Sequence, residues 1–174
     1  MTLSRFAPVL GLALAVIGAP FPAPRAVAAQ AQNSCTLLTH DEVQTLVPDE
    51  HVHVSDGVPG AAESISLQSC RYTWGEGTGR YSLAVTVNPA SRMFVGGNAD
   101  TIKLALLASV RAETADATIS DVGNAAVFKA YTTAYVSATA YLKERILQVS
   151  LDGFDAVNQR DALVSLLKKA AAKL

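Results

Sequence analysis

The chain has 174 residues, with 14 Lys and Arg against 15 Asp and Glu, a formal charge of −1, and hydrophobic residues making up 50% of it. No basic stripe with interleaved aromatics is present to hold phosphates, which argues against nucleic acid as a partner. Two cysteines, Cys35 and Cys70, and a single tryptophan, Trp74, are the scarce residues around which the rest can be ordered.

Arg5 precedes an apolar run, 8–20, that is too short to span a bilayer, and Pro20, Pro22 and Pro24 would end any helix early. Residues 1–28 therefore read as a signal peptide, with Ala26-Val27-Ala28 ahead of cleavage before Ala29; Ala29-Gln30-Ala31, with cleavage before Gln32, is the alternative. Gln32-Asn33-Ser34 before Cys35 does not form a lipidation box. Processing would remove Arg5 and Arg25 and no acid, taking the charge to about −3 and leaving about 145 residues, enough for one core and too few for two. Residues 29–34 are expected to be a disordered linker and 35–174 a single α+β domain with no transmembrane helix. Export to an oxidising compartment gives the two cysteines their meaning, and a Cys35–Cys70 disulfide is expected.

Leu38-Thr39-His40-Asp41-Glu42-Val43 is a complete helix start: Thr39 caps, Glu42 closes a capping box, and Leu38 staples to Val43. Val43, Leu46 and Val47 form its apolar stripe, and Pro48 stops it after about two turns. His51-Val52-His53-Val54 alternates as a short edge strand, and Asp56-Gly57-Val58-Pro59-Gly60 leads from it into a loop running to Ser64. Strand character returns over 65–74, where Cys70, Tyr72 and Trp74 share one face and Arg71 and Thr73 the other. Gly75-Glu76-Gly77-Thr78-Gly79 turns the chain into a partner strand with Tyr81, Leu83, Val85 and Val87 facing inward, an antiparallel hairpin. A mostly buried helix is predicted over 99–111, capped by Asn98 or Asp100, with Ile102, Leu106 and Val110 on one face.

After the turn Val122-Gly123-Asn124, strands at 125–129, 135–142 and 145–151 form a three-stranded meander, the last two joined at Lys143-Glu144. Gly153 ends it. The final helix carries Leu163, Leu166, Leu167, Ala170 and Leu174 at helical spacing and takes Asn158 as its cap; Asp161 and the lysines Lys168, Lys169 and Lys173 suit the two ends of its dipole. The lysines thus read as a solvated helix end. The predicted fold is α+β: an antiparallel sheet of about five to six strands, two longer helices on one face, and a short N-terminal helix.

Catalytic chemistry finds little purchase. His51 and His53 project from one side of a strand and would hold zinc or copper only if His40, Glu50 or Asp56 joined them; solvent-facing histidines are the commoner outcome, so no metal or other cofactor is expected. The Gly75-x-Gly77-x-Gly79 run precedes a strand, whereas a phosphate cradle opens a helix. No Gly-x-Ser-x-Gly elbow is present, and a cysteine nucleophile would have to be spared from the bridge. Trp74 and Tyr72 are candidates to line a pocket or simply to pack the core. Tyr131, Tyr135 and Tyr141 are the candidate binding face, since Tyr135 and Tyr141 share parity with Ser137 and Thr139 while Val136, Ala138, Ala140 and Leu142 point the other way.

Cys35-x-Leu37-Leu38-Thr39 opening a helix with Glu42, Cys70-x-Tyr72-x-Trp74 on a strand, and Val122-Gly123-Asn124-Ala125-Ala126 before a strand together resemble a family of small secreted proteins and lipoproteins of unknown function from actinobacterial envelopes. The resemblance spans most of the chain after the leader, apart from the missing lipidation box. It implies an α+β fold similar to the layered PsbP-type sandwiches, with the two cysteines paired, and it brings no catalytic residues with it. The resulting expectation is an exported, periplasmic or extracellular, non-catalytic module that binds an envelope protein, a lipid or a small ligand. The alternative is a small hydrolase or metal-binding protein using His40, His51 or His53.

Overall fold

The computed structural model describes residues 34–56, 68–109 and 117–174. The leader, the linker up to Asn33, the loop and strand start at 57–67, and the segment containing Val110 and Arg111 lie outside the described residues. Ser34, the last residue of the expected linker, is buried and begins a 3-10 turn, Ser34–Thr36.

The fold is α+β. Six strands, β1 (His53–Asp56), β2 (Gln68–Trp74), β3 (Tyr81–Pro89), β4 (Ala125–Ala130), β5 (Tyr135–Leu142) and β6 (Arg145–Asp152), form one open sheet in the order β1-β2-β3-β6-β5-β4. All neighbours run antiparallel, with the predicted hairpin and the predicted meander joined where β3 pairs with β6. The turns follow local chemistry. Gly75 has φ +73 and a Cβ there would lie 2.4 Å from the Gly79 carbonyl oxygen, so only glycine closes the β2–β3 turn. Lys143 and Glu144 both take positive φ, 47 and 59, matching the twist of a two-residue hairpin.

Among the described residues four helices attach to this sheet: α1 (His40–Gln44), α2 (Ala90–Met93), α3 (Ala99–Ala108) and α4 (Arg160–Ala172). The expected gathering of the two longer helices on one face is not what forms. Leu163, Leu166, Leu167 and Ala170 of α4 enter the main core with Val136, Ala138 and Ala140 of β5 and Leu147, Val149 and Leu151 of β6. Ile102 and Leu106 of α3 instead pack with Ala125, Val127, Tyr141 and Ile146, which have the opposite parity. The cause is β4: its run Ala125-Ala126-Val127-Phe128 is buried on both faces, as an unbroken apolar run requires, and each face needs its own cover. α3 is also more exposed than its apolar composition suggested. Only Ile102 and Leu106 are buried, while Leu104 is 61% exposed, because the helix covers one corner of the sheet. Asn98 is its cap, in a reciprocal box with Thr101.

The last helix starts differently from its prediction. Asp155, in the left-handed region at φ 54, turns the chain into a 3-10 turn, Ala156–Gln159, that feeds directly into α4. Asn158 sits inside that turn and Gln159 occupies the cap position with no side-chain hydrogen bond, because the 3-10 turn supplies the continuity a cap would otherwise provide. No helix among the described residues is long and apolar enough to cross a membrane.

The N-terminal segment is tied down at both of its ends. The Thr39 and Glu42 capping box forms as read from the sequence, with Thr39 N–H donating to Glu42 Oε2 at 2.7 Å and Glu42 N–H to Thr39 Oγ1 at 3.2 Å. α1 is shorter than two turns, five residues, and the same Glu42 Oε2 accepts from Lys173 Nζ at 2.6 Å, joining α1 to the end of α4. One of the three lysines therefore has a structural partner. Partial burial raises the Glu42 pKa, but the Lys173 hydrogen bond, the Thr39 backbone N–H and the lysine charge outweigh it, so the carboxyl titrates below its ordinary 4.5. A folded-state pKa below the unfolded one gives stability that is complete above pH 4.5 and lost as pH falls through the lowered value. Glu42→Gln should accordingly be less stable than wild type at neutral pH, by up to about 1 kcal/mol for a pair this close to solvent, and the two should converge in acid. A constant gap in urea midpoint from pH 7 to pH 3 would show that the carboxylate charge contributes nothing.

Candidate functional site

The face Cys70-Tyr72-Trp74 of β2 performs three separate jobs. Cys70 is bonded to Cys35, with their Cα atoms 4.9 Å apart. The Tyr72 hydroxyl, 1% exposed as a residue, donates to the Leu38 carbonyl, so the 3-10 turn and the helix start are held to the sheet twice. Trp74, at the end of the strand, pairs across the hairpin with Tyr81, and the two rings stack with centroids 5.5 Å apart and planes 7° from parallel.

That stack is one wall of a pocket of about 180 Å³ at the end of the main core. Leu151 and Leu163, both buried, form its floor, and the half-buried Leu46, Val47 and Ala162 complete the apolar lining. Glu50 and Gln159, both exposed, are the polar residues of its rim. The parts are fixed by the backbone beneath them. Gln44 holds the turn that presents Leu46, Val47 and Glu50: its amide nitrogen donates to the Val47 and Glu50 carbonyls and its oxygen accepts from Val52 N–H. The Tyr81 hydroxyl donates to the Phe154 carbonyl at 2.6 Å. Its ring rests on Gly153, where a Cβ would lie 2.1 Å from Tyr81 Cδ1. The aromatic wall is therefore held in place before any ligand arrives.

Gly153→Ala should consequently cost about 1–3 kcal/mol, because a methyl group must displace a ring that is bonded at its far end. It should also shift the emission of Trp74, the protein's sole tryptophan. An unchanged midpoint with unchanged emission would mean that the ring does not lie over Gly153.

The histidines do not converge on this pocket. The His40 ring lies with Nε2 2.9 Å from the Val52 carbonyl oxygen and Nδ1 3.3 Å from Asp41 Oδ1, bracing α1 against the chain leading into β1. His51 and His53 are exposed and meet each other edge to face, centroids 4.9 Å apart. Among the described residues, no three His, Cys, Asp or Glu side chains come together as a group able to hold a metal ion.

The tyrosine face divides. Val136, Ala138, Ala140 and Leu142 enter the main core, as their parity requires, but Tyr141 is only 3% exposed because α3 covers it. Tyr131 and Tyr135 remain at the surface, 5.2 Å apart and tilted by 33°, with the Lys129 ammonium 5.2 Å from the Tyr131 ring. They lie on the other side of the sheet from the Trp74 pocket.

Of the pocket residues, the sequence pointed to Trp74 alone. Tyr81 could have been found by pairing the ends of the predicted hairpin, since a turn between Trp74 and Tyr81 puts them opposite each other. Leu46, Val47, Glu50, Gln159 and Ala162 carry no such signal, because they come together only when α1 and α4 dock. Comparison with protein families, with curated proteins and with solved structures finds no match.

Proposed function

We propose that this chain is an exported, non-catalytic binding module of the cell envelope whose ligand occupies the Trp74–Tyr81 pocket. The observation that carries the reading is the pocket itself: apolar floor, aromatic wall braced by Gly153 and Phe154, and a rim with few polar groups, the usual composition of a small-molecule site. The leader-type N-terminus and the Cys35–Cys70 bond support residence in an oxidising compartment. Membership of the actinobacterial envelope family that the Cys-x-Tyr-x-Trp strand resembles is part of the same proposal. Among envelope protein, lipid and small ligand, the pocket's size favours a small ligand or the end of a larger one.

The test uses a variant that fills the pocket without disturbing the core. Ala162 is half-buried on the first turn of α4, and Ala162→Leu places added methyl groups into the opening at a helical position leucine tolerates. Ring-sized apolar compounds should quench or shift Trp74 emission in the wild type, and Ala162→Leu should weaken that response at least about tenfold while moving the melting temperature by only a few degrees. Equal binding by both proteins would remove the pocket from the argument.

A further inference from the structure

We propose that the ligand of the Trp74–Tyr81 pocket is a small organic cation: an amine or quaternary ammonium group carried on a ring-sized apolar body. This rests on the pocket reading above and names the chemistry of its occupant. The first observation is charge. Glu50 is the one charged residue lining the pocket, and its carboxylate has no ion-pair or hydrogen-bond partner among the described residues. Asp49, also exposed, adds a second negative charge immediately before it.

Two cations of the C-terminal helix have partners of their own. Arg160 follows the rim residue Gln159, yet its guanidinium lies 5.6 Å from the centroid of the Phe128 ring and its Nη1 donates to Asp161 Oδ1 at 3.1 Å. Lys173 is bonded to Glu42. Glu50 thus stands beside an interior that is apolar, with its carboxylate available to a ligand.

The second observation is the wall. Tryptophan and tyrosine rings attract cations through their quadrupole, tryptophan most strongly, and a cation between such a wall and a carboxylate is held from two sides. The third is size. An apolar cavity of about 150 Å³ accommodates benzene, so about 180 Å³ takes a ring and leaves its substituent at the rim, where Glu50 stands. An organic acid of the same shape would meet Glu50 as a like charge. A neutral ring would fill the interior and leave the carboxylate unused.

Three probes of one shape separate these cases: phenethylamine, phenethyl alcohol and hydrocinnamate, each titrated into the oxidised mature protein with Trp74 emission and calorimetry as readouts. The amine should bind about tenfold more tightly than the alcohol, within the range a cation–π contact and an exposed ion pair supply, and the acid most weakly. Glu50→Gln should bring the amine down to the alcohol and leave the alcohol unchanged, and added salt should weaken only the amine. Equal affinities for amine and alcohol, or a preference that survives Glu50→Gln, would overturn the cation class while leaving the pocket intact. Failure of all three probes to perturb Trp74, or binding indifferent to Ala162→Leu, would overturn this inference together with the reading beneath it.

Discussion

Replacing Trp74 with alanine should lower the stability of the folded protein by about 3–5 kcal/mol, the range for deleting a buried tryptophan. The residue is 3% exposed and belongs to the main core with Tyr72, Leu83 and Leu151. Its removal also strips the Tyr81 ring of the partner it stacks on, a contact worth roughly 0.5–1.5 kcal/mol beyond buried area. Trp74→Phe keeps a ring at the same place and should lose less than half as much. Denaturation followed by far-ultraviolet circular dichroism measures both, since the alanine and phenylalanine variants lack a tryptophan signal. A midpoint for Trp74→Ala within error of the wild type would place the core elsewhere than the Cys70-Tyr72-Trp74 face.

Much of this architecture could be read before the fold was seen, and the reasons differ by element. Strand parity was legible because a side chain on a strand has only two directions: Cys70, Tyr72 and Trp74 went inward together, as did Leu147, Val149 and Leu151. The Thr39 and Glu42 box was legible because capping is local and needs only four residues. Errors arose where a distant element decided the outcome. Tyr141 has the parity of an outer face and occupies it, but α3 lies on top of it, and nothing within 135–142 announces that cover. The two-sided burial of β4 follows from its unbroken apolar run, which requires cover on each face and so a second helical layer. Asn158 had the right residue type for a cap and lost the position to a 3-10 turn initiated by Asp155. The pocket was the least legible part, since its lining comes from three separate segments, 46–50, 74–81 and 151–163, whose proximity is a product of packing alone.

Loss of the Cys35–Cys70 bond should be the other large effect, about 4 kcal/mol from the loop-closure entropy restored to the unfolded chain for a separation of 35 residues. The folded side of the balance matters as well. α1 has five residues and cannot persist alone in water; the segment leading into it is held to β2 by the disulfide and by the Tyr72 hydroxyl on the Leu38 carbonyl. Tyr72→Phe removes the second tether and leaves that carbonyl without its partner hydroxyl, which should cost about 1–3 kcal/mol. The two tethers restrain one segment, so their removals should not add: once the Cys35→Ala/Cys70→Ala pair has freed the segment, Tyr72→Phe should cost markedly less than it does alone. A double-mutant cycle in urea, with mass spectrometry of the purified protein before and after reduction to count alkylatable cysteines, measures both parts. Two thiols alkylated without reductant would exclude the bond, and strict additivity would mean that Tyr72 and the disulfide hold different parts of the chain. The segment's release should also be felt in the pocket, because Leu46, Val47 and Glu50 are carried by the turn that follows α1. If the pocket is the binding site, reduction should therefore weaken binding of a ring-sized probe before it unfolds the sheet, because the tie that fastens the N-terminal helix also positions one side of the pocket.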